Sequence, residues 1–411
     1  MINKHVPEFR FPGFVGYWKQ RKLEDLINTM HGGASITPND YQEEGVPTVP
    51  KGAVNSSGIA DISGSKFVSK DYFQKNMKAS VYSGDLVTSL RDLVPTAPNM
   101  GRIVKLIGDS KEYLMPQGVY RLLIEDGVDE NFLIAFSNSE KFRRIITQEK
   151  IGSTQVHIRN SEYLGIKLEA PSNEEQNKIG GFFKQLNETI ALHQQELTTL
   201  QQTKQGFLQK MFPKEGESVP EVRFSGFTGG WGESKAIEIF KSVSDKNHPN
   251  LPVLSASQQK GMIYRSDLGI DIKYNTESTK NYKRVLPGQF VIHLRSFQGG
   301  FAFSNIEGIT SPAYTVLDFQ NREKHYPIFW RYVLASEVFI KRLEAVTYGI
   351  RDGRSISFSD FSSLKFRAPS YDEQIKIGYF LKQLDETIAL HQQELDALQE
   401  IKKAFLQKMF V

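Results

Sequence analysis

The octapeptide IALHQQEL stands at residues 190–197 and again, letter for letter, at 388–395. Around it, residues 176–211 and 374–409 agree at about 26 of 36 positions with a constant offset. A second motif also repeats. PEFRFPGFVGYW (7–18) returns as PEVRFSGFTGGW (220–231), carrying Trp18 and Trp231, and APS precedes each helical segment at 170–172 and 368–370. The chain is two copies of one unit: opening motif, long variable stretch, APS, helix. Between these landmarks, 24–150 and 237–350 align poorly. Fixed helices and divergent middles imply that the helices do one job twice and the middles do two different jobs.

The helical copies carry a seam with alternating steps of four and three. In the first it runs Ile179, Phe183, Leu186, Ile190, His193, Leu197, Leu200, Lys204, Phe207, Met211. In the second it runs Ile377, Leu381, Leu384, Ile388, His391, Leu395, Leu398, Lys402, Phe405, Met409. A seam sustained over four and more heptads predicts a coiled coil rather than an ordinary surface helix, and the economical partner for one seam is its duplicate. Because each helix follows its own variable domain, antiparallel pairing would set those domains at opposite ends of a rod. PSNEEQ and PSYDEQ supply a helix start, and Pro213 closes the first copy. His193 and His391 interrupt the apolar seam midway. They are read as a polar pair fixing register, in preference to a metal or catalytic role. Lys204 and Lys402 are expected to snorkel along the seam.

Composition narrows the possibilities. The 411 residues hold no cysteine, which excludes disulfides, thiolate nucleophiles and Cys-ligated metals. No apolar run approaches membrane-spanning length and no signal pattern follows Met1, so a cytoplasmic protein without membrane association is expected. The formal charge of +4 permits nucleic-acid binding without requiring it. Phosphate-binding Gly-rich loops, HExxH, GxSxG and the methyltransferase signature Asn/Asp-Pro-Pro-aromatic are absent from the sequence. Glu43–Glu44 and Glu174–Glu175 read as solvated loop and cap positions. No catalytic or metal-ligating residue is assigned, and no cofactor is expected in this chain.

The variable stretches mix short apolar runs, such as GDLVTSL (84–90) and GQFVIHL (288–294), with helical patterns at 131–147 and 326–346. The fold class expected is α+β or α/β. Two globular domains, 1–172 and 213–370, are separated by two long antiparallel coiled-coil helices, 173–212 and 371–411, with pseudo-twofold symmetry. Basic residues interleave with aromatics in several places, a composition suited to phosphate contact and base-edge reading. In the first copy Lys66, Lys70, Lys75 and Lys78 surround Tyr72 and Phe73, and Lys141, Arg143 and Arg144 cluster. In the second, Lys273, Lys280, Lys283, Arg284 and Arg295 accompany Tyr274, Tyr282 and His293. The loop HLRSFQGG (293–300) is the favoured base reader, with Arg295 forking to guanine and Gln298 pairing with adenine. Candidate DNA contacts are thus Lys66, Lys70, Arg91, Arg143, Arg144, Lys280, Tyr282, Lys283, Arg284, His293, Arg295, Ser296, Gln298, Arg351 and Arg354.

Two divergent domains, each followed by a near-identical helix, resemble the specificity subunit of type I restriction–modification enzymes across essentially the whole chain. The resemblance rests on the paired opening motifs, on EEQNKIGGFFKQL and DEQIKIGYFLKQL, and on the stretch 287–317. It implies two target-recognition domains, each reading half of a bipartite site on double-stranded DNA, with the helices setting the unread gap. It also implies a non-catalytic chain that docks two methyltransferase subunits and two restriction subunits. S-adenosylmethionine, ATP and magnesium would belong to those partners. Two other readings of the residues stay open: a scaffold with duplicated protein-binding domains, and a stand-alone DNA enzyme whose catalytic groups meet only in space.

Overall fold

A computed structural model describes residues 6–257, 259–268, 276–345 and 356–411. It divides into two compact units, residues 1–196 with 391–411, and residues 197–390. The long helices span Asn173–Lys210 and Tyr371–Lys408, so each unit holds one globular module and a portion of both helices. Within the first unit the helices run antiparallel, with Phe182 edge-on to Phe405 at 4.9 Å and the rings of His193 and His391 6.0 Å apart. Within the second, Phe207 meets Phe380 at 4.9 Å. All the seam residues from Ile179 to Met211 and from Ile377 to Met409 are buried or half-buried.

The seam lysines differ from the snorkelling expectation. Lys204 ends in an ion pair with Asp385 at 2.5 Å. Lys402 stands at the equivalent place in a repeat that has Asn187 where the other has Asp385. Its ammonium instead donates to the carbonyl of Ser56 at 2.9 Å, and burial, aided by nearby Arg102, lowers its pKa to about 8.

The divergent middles share one frame. In the first unit β1 (Ile27–Gly32), β2 (Leu86–Ser89), β3 (Ile103–Lys105) and β4 (Val119–Ile124) form a sheet in the order β1-β4-β2-β3. In the second, β5 (Phe240–Val243), β6 (Phe290–Ile292), β7 (Ala302–Phe303) and β8 (Thr315–Phe319) form β5-β8-β6-β7. Val87 faces Arg121 and Val104, just as Val291 faces Val316 and Ala302. The strands are rich in Val, Ile, Leu and Phe, which suit a pleated surface buried on at least one face. Every strand ladder among the described residues is antiparallel. The class is therefore α+β rather than α/β. The two helical patterns each break in two. Ser139 caps a second helix at Glu140–Glu149, its hydroxyl accepting from the Phe142 N–H, and the other stretch divides into Pro327–Val333 and Glu337–Ala345.

The repeated motifs explain how each module is fixed to its helix. Arg10 of the opening motif forks onto Glu175 at 2.6 and 2.7 Å and donates to the carbonyl of Gly16. Arg223 does the same to Glu373, at 2.7 Å twice, and to Gly229. Both carboxylates lie in the first turn of a long helix, where the N-terminal dipole favours an anion. Their side chains are 1% exposed, which corrects the solvated reading of Glu175; Glu174 is exposed. Next in sequence, Gln176 and Gln374 donate to the carbonyls of Pro171 and Pro369 and accept from the N–H of Asp129 and Tyr326. At Gly180 an added methyl would meet the Asp129 carboxylate at 1.8 Å, and at Gly378 the Phe329 nitrogen at 2.9 Å, so only glycine lets the module's helix approach. The opening motif also reaches a helix end. The Phe9 N–H donates to the Lys408 carbonyl at 3.0 Å, and the Val222 N–H to Lys210 at 2.9 Å.

Removing the cation should expose the weight of this clamp. Arg223→Ala strands the Glu373 carboxylate in a buried site and should cost about 3 kcal/mol in urea unfolding followed by tryptophan fluorescence. Arg223→Ala/Glu373→Ala should recover part of that loss, because no charge is then left unpaired.

Candidate nucleic-acid interface

Each central sheet delivers an arginine to the surface at the same point. Gly84-x-x-Val87-x-x-Leu90-Arg91 and Gly288-x-x-Val291-x-x-Leu294-Arg295 share their spacing. Gly84 and Gly288, at φ 105° and 87°, make the turn that launches β2 and β6. Arg91 and Arg295 follow the strands and are both exposed. A second shared spacing, Phe132-x6-Ser139-Glu140-x-Phe142 against Phe329-x6-Ser336-Glu337-x-Phe339, also aligns the two middles, with Ser139 and Ser336 capping the same way.

Around Arg295 the loop is built from polar groups turned inward. The His293 N–H donates to the Ser296 hydroxyl at 2.8 Å, and the His293 ring accepts at Nδ1 from the Arg295 N–H at 3.3 Å. Burial, and then the charge of Arg295, hold this imidazole below its ordinary pKa. The neutral ring keeps its proton on Nε2 while Nδ1 accepts. Ser296 is fully buried and His293 nearly so. Both therefore shape the loop rather than offer a surface contact, while Arg295 and Gln298 are exposed. Beside them lies a small cavity of about 60 Å3, whose lining includes His293, Gly299, Gly300, Lys260 and Arg331.

The remaining candidates separate by where their charge goes. Lys280 is exposed and Tyr282 half-buried. Lys283 turns in to donate to the Tyr314 carbonyl at 2.6 Å, and burial lowers its pKa. Arg284 is held by Glu307 at 2.6 Å and by Asp245 at 3.5 Å. In the first module Lys66 lies over the Tyr41 ring at 5.0 Å, and Lys70 opens a short helix, Lys70–Lys75, capped by Ser69. Lys66, Lys70, Lys75 and Lys78 are all exposed. Their aromatic neighbours serve the fold: Phe73 is core, and the Tyr72 hydroxyl donates to the Ser35 carbonyl. The cluster at 141–144 also splits. Arg144 is exposed and pairs with Glu140 at 3.0 Å. Arg143 spends its guanidinium on the carbonyls of Met100 and Ala97, both at 2.6 Å, and burial with the charge of Arg102 brings its pKa down to about 10. Lys273, Tyr274, Arg351 and Arg354 lie outside the described residues.

Two α+β modules on one frame, each clamped to the start of a long helix by the same Arg–Glu fork, define a duplicated two-module protein. Residues 16–202 and 229–400 both match the type I restriction modification DNA specificity domain, and the chain belongs to that family. It is 22% identical over 416 residues to a putative type I restriction enzyme MjaX specificity subunit of Methanocaldococcus jannaschii, covering 95% of this chain and 92% of that one. The type I restriction enzyme MjaVIII specificity subunit of the same organism is 25% identical over 194 residues, 46% of this chain and 43% of that one. In fold, the chain is similar to the crystal structure of the type I restriction-modification system S subunit from M. genitalium. That likeness covers 99% of each chain with a TM-score of 0.62 at 14% identity. Among the described residues no helix is long and apolar enough to cross a membrane.

The division between inward and outward arginines is measurable. Arg143→Ala leaves two carbonyls without their donors and should cost about 1–3 kcal/mol in thermal unfolding. Arg144→Ala, at an exposed pair, should stay within about 0.5 kcal/mol of the parent.

Proposed function

We propose that this chain is the DNA-recognition subunit of a type I restriction–modification complex, with each module reading one half of a bipartite site on double-stranded DNA. One observation carries the reading: a four-stranded frame of the same strand order delivers an exposed arginine at the same sequence spacing in both modules, amid otherwise different side chains. A constant frame with changed neighbours is what two different half-sites read in one manner would require. Arg295 and Gln298 are the base-reading candidates in the second module and Arg91 in the first. Lys66, Lys70, Arg144 and Lys280 are suited to phosphate, because their exposed charge can displace counterions from the duplex. His293 and Ser296 shape the Arg295 loop from within, Lys283, Arg284 and Arg143 are engaged by partners of their own modules, and half-buried Tyr282 stands two residues from Lys280.

In this reading the helices set the unread gap between half-sites, 38 residues each corresponding to about 57 Å. They also dock two methyltransferase subunits. Leu192 and Leu390 occupy equivalent places in the repeat and are both 55% exposed, offering each partner copy the same apolar contact. S-adenosylmethionine, ATP and magnesium would sit in the methyltransferase and restriction subunits, so the chain itself performs no chemistry. The whole complex would act in the cytoplasm.

Methylation mapping of the reconstituted complex tests both halves of the proposal. Arg295→Ala should relax one position of one half-site, at a cost of about 1–3 kcal/mol for the matched base, and leave the other half-site intact. A four-residue insertion after Gln201 adds about 6 Å, and should lengthen the gap by one or two base pairs at about 3.4 Å each. An active insertion variant with an unchanged gap would remove the helices from the spacer role.

A further inference from the structure

The repeated HQQEL of each long helix sets a histidine and a glutamate three residues apart, on one helix face. Antiparallel pairing brings both sets together inside the first unit. The Nδ1 of His193 lies 3.7 Å from a Glu394 carboxylate oxygen, and the Nδ1 of His391 lies 3.8 Å from Glu196 and 3.8 Å from Glu394. Ligand atoms from His193, Glu196 and His391 all fall within 4.8 Å of one another. Both Nδ1 atoms are shut off from solvent, and neither has a hydrogen-bond partner among the described residues. The carboxylates stand just beyond hydrogen-bonding range. Two solvent-shielded, unsatisfied ring nitrogens in mirrored positions are a cost that apolar residues at the seam would not incur.

We propose that His193, His391, Glu196 and Glu394 form a zinc site that staples the two helices together at this point of the seam. Zinc holds nitrogen and oxygen ligands tetrahedrally at about 2.0–2.1 Å, which puts neighbouring ligand atoms roughly 3.3 Å apart. His193, Glu196 and His391 are already grouped within 4.8 Å, the His–Glu separations of 3.7 and 3.8 Å need a small contraction, and Glu394, outside that group, must turn in as the fourth ligand. Two imidazoles and two carboxylates suit zinc, whereas magnesium and calcium prefer all-oxygen shells. The Glu side chains are 46% exposed, so they can swing onto an ion arriving from solvent. A single bound ion would satisfy both buried nitrogens and fix the register with no sequence change in either repeat.

The test uses the full-length chain without an affinity tag. After zinc loading and dialysis into metal-free buffer, mass spectrometry should find one zinc per chain. Cobalt added instead should give the intense visible absorption of a tetrahedral site. His193→Leu/His391→Leu should lose both signals while keeping its helix content by circular dichroism, since leucine suits a coiled-coil seam. The conservative pair Glu196→Gln/Glu394→Gln keeps the shape, and should weaken zinc by more than the ~10–100-fold that losing an outer-shell partner costs. Zinc retained equally by the parent and the histidine variant, or by neither, would overturn the site. Retention unaffected by the glutamate pair would overturn the carboxylate ligands.

Discussion

The fork of Arg10 on Glu175, repeated by Arg223 on Glu373, is the contact on which the rest of each unit depends. It ties an opening motif to the first turn of a long helix across 165 residues in one case and 150 in the other. A buried carboxylate is tolerable only with its cation and hydrogen bonds in place, so the pair acts as an all-or-none criterion for correct docking. Once it is made, the neighbouring glutamine and glycine set how closely the module's own helix lies on the long one. The aromatic core then closes over it: Trp18 and Phe410 gather around Phe132, as Trp231 and Phe212 gather around Phe329.

What could be read in advance followed from which physics is local. The seam was legible because helical periodicity writes burial directly into the sequence, and every seam position from Ile179 to Met409 lies inside or at the edge of a packed face. The frame of the modules was not legible. Its strands are two to six residues long, too short for a period to register, and the common spacings of Gly84 to Arg91 with Gly288 to Arg295 and of Phe132 to Phe142 with Phe329 to Phe339 stand out only once the strands are known. The fate of each arginine was hidden as well. Arg143 and Arg144 are adjacent and chemically equal, yet one feeds two carbonyls and the other faces water. That difference comes from partners more than forty residues away in sequence, which composition cannot show.

The same limit governed the acidic residues. Glu174 and Glu175 look alike in a helix start, but the fork selects the second because it lies on the face turned toward the opening motif. A repeat of the pair at Asp372 and Glu373 was the available clue, since only the second of each is glutamate in both copies.

The way the units are cut from the chain has a consequence for biosynthesis. The second unit is one contiguous run, 197–390, whereas the first needs its final residues, 391–411. Its ion pair of Glu8 with Lys408 spans 400 residues, against eleven for Glu221 with Lys210. As the polypeptide leaves the ribosome, the module made first must wait with part of its apolar surface uncovered. Loop closure over so long a separation is slow. The module made second has all its own partners once residue 390 has been made, 21 residues (391–411) before the first. Exposure of Phe132, Phe183 and Trp18 during that interval, before Phe410 arrives to cover them, makes the nascent first unit the point at which chaperones or proteases would intervene.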